Sequence, residues 1–362
     1  MVFERNGEID MTTQLPTGIS DDLAAVLRDQ LPQAAGVTSV IATPCGAGQL
    51  ADSFRLDLEY RDGATGPASV FVKLPPSDAA SASTAQRINA FDRESYFYTD
   101  LLPQLELTTP RLLGFVDFGE TGTGIVLEDL SGSTRPLDQL RDGTLAQATS
   151  VIDQLAGLQA PFWDDVAAAG GDGRFYNRTQ DQIDGLADRY LQSWERLGEE
   201  VGSGLDRAQR ELIVRFGQRT REWAATIDGP RTLVHQDLRL DNLLWSDRGG
   251  AVLIDWQTLA FASPAWDPAF YLGTALPPDL RRDAERKLVE RHADALAARG
   301  ISDWDRERAW TEYRRLSGAA LLAMIAAMGF VAPTQRGFKM FASLIDRGAH
   351  QALDLNLLEF LD

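Results

Sequence analysis

The spacing of apolar residues changes once along this chain, and that change limits the folds open to it. From Val40 to Leu74 apolar residues alternate with polar ones, most cleanly in "SFRLDLEY", and "RDGATGPAS" supplies a turn before "VFVKL". Alternation at period two predicts strands buried on one face, and the glycine-rich break predicts a hairpin. A helix is expected before them, around "DDLAAVLRDQL", and two more strands after them, in "RLLGFVDFG" and "GIVLEDL". Between these sets the apolar positions of Thr84 to Leu102 recur at helical spacing and stop near Pro103. Beyond "SGSTRP" helical patterns dominate: Leu145 to Trp163, Gln180 to Leu197, Asp206 to Ile227, and several from Pro278 onward. Only Thr232 to Asp255 interrupts them, with short runs such as "LLW" and "AVLID". The expected fold class is therefore α+β in two lobes. A small antiparallel sheet would occupy residues 1–130 and a larger, mainly helical lobe residues 131–362, joined near Glu128 to Pro136.

With 362 residues, 44% of them apolar, the chain has ample material for a core. Fifty-three acidic against 35 basic residues give a formal charge of −18, which argues against nucleic acid or an anionic membrane as partner. Any phosphate-bearing ligand must then be held by local cations or a metal. The lone cysteine, Cys45, cannot form an internal disulfide, and "MVFERNGEIDMTTQ" lacks the basic-then-apolar pattern of a secretory signal, so a cytoplasmic location is expected. "GAALLAMIAAMGFVA", from Gly318, is shorter than the roughly 20 residues that span a bilayer and is expected to be a buried helix.

The chemistry-bearing segment is "LVHQDLRLDNLLW", Leu233 to Trp245, where polar residues sit between apolar flanks that read as two short strands. His235, Asp237 and Asn242 fit H-x-D-x-x-x-x-N, the catalytic-loop pattern of kinases. In that pattern Asp237 would accept the proton of an attacking hydroxyl, and Asn242 would turn inward to a metal ion. Further on, "AVLIDW" ends an apolar strand on Asp255, a carboxylate placed as a metal ligand should be.

In the first lobe Lys73 stands on a strand otherwise built for burial, and an ammonium there needs a partner. Glu94, in "RESYFY", is preferred over Asp92; the alternative is an edge-strand lysine reaching solvent. Gly46 and Gly48, in "TPCGAGQLADSF", would let backbone amides approach an anion, although turns of this composition are common. "VLEDL" leaves the last strand of the sheet, where main-chain groups of Glu128 and Leu130 would meet an adenine edge.

Taken in order, Gly46 and Gly48, Lys73, Glu94, "VLEDL", "HQDLRLDN" and "LIDWQ" resemble the aminoglycoside phosphotransferase and choline kinase-like superfamily, over roughly Val40 to Gly273. "VKLPP", "RESYFY", "VLEDL" and "LIDWQ" look most like its ecdysteroid kinase-like group and their bacterial relatives. The resemblance implies a protein-kinase-like fold whose first lobe binds nucleotide, and transfer of the γ-phosphoryl group of ATP, with Mg²⁺, to a hydroxyl of a small molecule. Aminoglycoside, macrolide, sugar, sterol-like and amino-alcohol acceptors are all compatible. By the same resemblance Asp237 is the catalytic base, Asn242 and Asp255 are the magnesium ligands, and Lys73 with Glu94 grips the phosphates. Asp267, in "SPAWDPAFYLG", braces the catalytic loop. Two departures stand out: Gln236 replaces the glycine usual between the histidine and the aspartate, and about a dozen residues between Asp255 and Asp267 leave no room for a long activation segment. A protein substrate is therefore not expected. The competing reading is a catalytically silent nucleotide-binding regulator on the same fold. The aromatic residues Phe162, Trp163, Trp256, Trp266, Phe270 and Tyr271 would serve either an acceptor pocket or the core. Oligomeric state is not legible.

Overall fold

A computed structural model describes residues 23–45, 50–176, 180–329 and 335–361. They divide into two compact units: one holds the residues up to Ser95 with Pro110–Gly132, the other Tyr96–Thr109 with the residues from Ser133 onward. The chain thus enters the second unit twice.

The first unit is built on a five-stranded antiparallel sheet, β1 (Val37–Pro44), β2 (Asp52–Tyr60), β3 (Ser69–Leu74), β4 (Leu112–Asp117) and β5 (Thr123–Glu128), in the order β1-β2-β3-β5-β4. Phe54, Leu56 and Leu58 of β2 are buried while their neighbours Arg55 and Asp57 are half-exposed, as period two requires. Register sets Phe54 opposite Val72 and Leu56 opposite Val70, so the buried side chains share one face. Helix α1 (Leu23–Gln30) covers that face with Leu23, Ala24 and Leu27.

The helix expected over Thr84 to Leu102 is broken. It forms α2 (Ala79–Arg87), capped by the Asp78 side chain, and α3 (Ala90–Tyr96), followed by a π-wound turn at Phe97–Leu101. The break falls at Asn89, whose φ of 50° is left-handed, a conformation asparagine tolerates better than most residues.

The second unit contains two small sheets among helices. β6 (Thr134–Pro136), β8 (Leu243–Ser246) and β9 (Ala251–Leu253) form one, and β7 (Thr232–Val234) pairs with β10 (Ala260–Ala262) in the other. Helix α4 (Leu145–Gln159) opens with a capping box, Thr144 with Gln147. Next come α5 (Gln180–Val201), α6 (Arg207–Gln218) and α7 (Thr220–Ala225), the last two splitting at Arg219 a run expected as one helix. α8 (Trp266–Ala275), α9 (Pro278–Ala297), α10 (Arg306–Arg315), α11 (Ala319–Met328) and α12 (Gln335–Asp354) complete the unit. α11 is buried almost all round, as expected, and among the described residues no helix is long and apolar enough to cross a membrane.

Candidate active site

Strand β7 is wholly buried and delivers the chain into a loop, His235 to Asn242, that β8 then carries away. The loop's backbone is pinned from three sides. The amides of His235 and Gln236 donate to the two oxygens of the Asp267 carboxylate, at 2.7 and 2.9 Å. Trp266 Nε1 donates to the Gln236 carbonyl at 3.2 Å, and Thr258 Oγ1 to that of His235 at 3.1 Å. The His235 ring is buried, with Nε2 2.9 Å from the Ile254 carbonyl; a carbonyl only accepts, so Nε2 carries the proton. Asp267 is fully buried in the first turn of α8, where helix dipole and amides favour an anion. Burial pushes its carboxyl above the usual range, and His235 with the two amides draws it part of the way back.

This frame aims Asp237. Asn242 Nδ2 donates to the Asp237 carbonyl at 2.8 Å and to Oδ2 at 2.9 Å, which fixes the carboxylate's rotamer. Arg239 Nε lies 3.2 and 3.3 Å from the two carboxylate oxygens, and its Nη1 donates to Asp241 at 3.2 Å. Asp241 in turn accepts from the Gln139 amide at 3.0 Å and from Arg336 of α12 at 3.4 Å. Burial lowers the pKa of the Arg239 guanidinium, but Asp237, Asp241 and Asp255 outweigh it and hold it above its ordinary value. The same influence brings Asp255 into the electrostatic neighbourhood of this group.

Asp255 follows β9 by two residues and adopts a left-handed φ of 71°. The next side chain, Trp256, is fully buried, stacked on Phe97 at 3.8 Å between ring centroids and bonded through Nε1 to Thr109. That anchored indole sets where the kink begins. Asn242, with its amide nitrogen turned to Asp237, and Asp255 offer hard oxygen donors, the chemistry magnesium takes. Among the described residues no three His, Cys, Asp or Glu side chains gather into a metal cage; magnesium seldom needs one, because phosphate and water complete its shell.

In the first unit Lys73 Nζ and Glu94 Oε2 form an ion pair at 2.6 Å, nearly shut off from solvent, while Asp92 is exposed. Gly46 and Gly48 lie outside the described residues. At the end of β5 the Glu128 amide donates to the Arg111 carbonyl at 3.0 Å, so it is committed inside the sheet and is not a free donor. The Glu128 carboxylate also holds Arg111. Its neighbour Asp129 ties the exit of β5 to β2 and β3 by accepting from Arg55 and Ser69, both at 2.6 Å. Burial works against that carboxylate, yet the bonds from Ser69, Ser131 and Arg55 bring its pKa down to about 2.

The aromatic residues divide clearly: Phe162, Trp256, Trp266, Phe270 and Tyr271 are buried, leaving Trp163 partly exposed. They pack as core. Gln159, also buried, accepts from Thr232 Oγ1 at its carbonyl, donates to the Pro264 carbonyl, and meets His292 Nε2 at 2.8 Å. Sequence reasoning gave no part to Arg239, Asp241, Gln139 or Arg336. The first two were visible in "DLRLD", where an arginine flanked by aspartates two residues away on either side signals a shared charge network.

The solved structures this chain resembles include the GDP and kanamycin complex of APH(2")-IIia, with a TM-score of 0.51 and 16% identity over 90% of this chain and 97% of that one. Others are the macrolide 2'-phosphotransferase MphH of Brachybacterium faecium, with 19% identity, 87% and 97% coverage and a TM-score of 0.48, and an ethanolamine kinase of Plasmodium vivax, with 11%, 89% and 83%, and 0.48. The first of these places the chain in the fold of kinase-like phosphotransferases. No curated protein matches the sequence. Residues 46–299 match the model of the ecdysteroid kinase-like family, and the chain belongs to that family.

Proposed function

We propose that this chain is an ATP-dependent phosphotransferase that moves the γ-phosphoryl group to a hydroxyl of a small organic molecule. The observation that carries this reading is the gathering of Asp237, Asn242, Arg239 and Asp255 on one pinned loop and the kink that follows β9. The acceptor oxygen attacks the γ-phosphorus, its bond to phosphorus forms as the β,γ-bridging bond breaks, and the nucleoside diphosphate leaves. The hydroxyl proton passes to the Asp237 carboxylate, which Asn242 holds in the orientation to receive it.

Lys73, held by Glu94, would bind the α- and β-phosphates, and Gly46 with Gly48 would cover them through backbone amides. The Glu128 carbonyl and the Leu130 main chain would meet the adenine edge. Asn242 and Asp255 would hold Mg²⁺, which when bound neutralises phosphate charge. The acceptor belongs among aminoglycosides, macrolides, sugars, sterol-like compounds and amino alcohols, in the cytoplasm.

The test is release of ADP from Mg·ATP across a panel of those acceptors, for the native chain and for Asp237→Asn. Turnover should fall by about 10²–10⁴-fold in the variant, the usual worth of a positioned base, while Mg·ATP still raises the melting temperature. Full turnover by Asp237→Asn would end this mechanism.

A further inference from the structure

Arg239 has no task in the chemistry just described, although it touches the group that does it. Its guanidinium sits among three carboxylates, bonded to Asp237 and Asp241 and within the influence of Asp255. Two of those three belong to the proposed reaction. Its Nη1 also lies 3.7 Å from Met340 Sδ on α12, so the side chain is packed on one flank and 22% exposed on the rest. Both bonds to Asp237 are at the long end of the hydrogen-bond range, and neither is the parallel fork that an arginine and a carboxylate make when nothing else constrains them.

The geometry of phosphoryl transfer then limits where the phosphoryl group can be. An acceptor oxygen bonded to Asp237 lies about 3 Å from that carboxylate, and the phosphorus it attacks lies roughly 3–3.5 Å further on. Arg239 is already 3.2 Å from the same carboxylate, so the equatorial oxygens of the transferred group would lie within the sweep of its side chain. Charge points the same way. A cation binding at Asp255 would draw that carboxylate's charge away from Arg239, while the incoming phosphate supplies a stronger one.

We propose that Arg239 is a further catalytic residue, which pairs with Asp237 and Asp241 in the free protein and takes hold of the γ-phosphoryl group when Mg·ATP is bound. The proposal rests on the phosphotransferase reading above. It assigns to the loop a planar cation that follows charge from the ground state into transfer, as the Pγ–O bond to the leaving diphosphate breaks and that to the acceptor forms. Asp241, anchored by Gln139 and Arg336, is the tether that returns it afterwards.

The test separates the γ-phosphate from the rest of the nucleotide. Binding of Mg·ADP and of the magnesium complex of the β,γ-imido analogue of ATP is measured by calorimetry for the native chain, for Arg239→Gln and for Arg239→Lys. Arg239→Gln should weaken the triphosphate analogue by about tenfold to a hundredfold, the worth of a charge-assisted hydrogen bond, and leave Mg·ADP within about twofold. Arg239→Lys should fall between the two, keeping the charge without the fork. Should Arg239→Gln fail to fold, the same ratio measured on Arg239→Lys decides. Equal effects on both nucleotides, no effect on either, or tighter binding by Arg239→Gln would overturn the proposal, the last because Arg239 would then be a counter-ion only. A native chain that binds neither nucleotide would instead overturn the phosphotransferase reading beneath it.

Discussion

Gln236 and Asp255 both hold positive φ, 74° and 71°, and each precedes a side chain on which the site depends. A left-handed residue other than glycine costs about 1–2 kcal/mol, so the surroundings must impose it. At Gln236 they do: its amide is held by Asp267 and its carbonyl by Trp266, which is how a glutamine keeps a conformation that glycine adopts more readily. A second residue-scale consequence concerns His292, fully buried against Gln159, where burial draws its pKa down from 6.5 to about 4. Unfolding restores the ordinary value, so between these limits the unfolded chain binds the extra proton. Stability from this group is complete above pH 6.5 and is lost as pH falls through 4, in all by about 3 kcal/mol. Urea melts of the native chain and of His292→Gln at pH 7, 6, 5 and 4.5 should converge as pH drops, because only the native chain loses this contribution. Parallel curves would mean the ring is not what titrates.

Among the elements, α8 has the largest effect on the loop, because Asp267 in its first turn satisfies two consecutive loop amides that nothing else in the interior would satisfy. Asp267→Asn turns one of those oxygens into a donor facing a donor. The expected cost is about 1–3 kcal/mol in chemical denaturation, together with a loss of turnover because Asp237 is no longer aimed. Unchanged stability in Asp267→Asn would show that the loop holds itself. This brace was legible from sequence only through resemblance, since α8 is buried on every side and gives no amphipathic period to read. The large strands and the amphipathic helices were legible for the opposite reason: β2 and α6 each bury one face and expose another. The three-residue strands are too short to carry a period, so β7 and β9 were read only as apolar runs and β6 and β10 were not read at all. The breaks at Asn89 and Arg219 were missed because a helical spacing of apolar residues survives a local change of backbone. The pairing of Lys73 with Glu94 was readable because a buried ammonium demands a carboxylate. Of the charge network, the Arg239 and Asp241 part stood in "DLRLD" but Arg336 did not show, since it meets Asp241 across 95 residues.

For the molecule as a whole the governing quantity is a formal charge of −18, which a nucleotide of the same sign must approach. At ordinary ionic strength the Debye length is about 8–10 Å, so most of that charge is screened and local cations decide binding. The cations to which the proposal gives this task are Lys73, Arg239 and bound magnesium, and the first two are already paired with carboxylates. ATP without magnesium should therefore gain little. Melting curves with saturating Mg·ATP should show a rise corresponding to about 2.7 kcal/mol at a hundredfold excess over Kd, and most of it should vanish when EDTA is added. Raising salt from 0.02 M to 0.15 M should recover only a small part of the loss, because screening removes long-range repulsion and cannot replace a cation that touches phosphate. If salt alone restored the full rise, diffuse charge rather than a magnesium at Asn242 and Asp255 would control nucleotide binding, and the roles given to those two residues would have to be withdrawn.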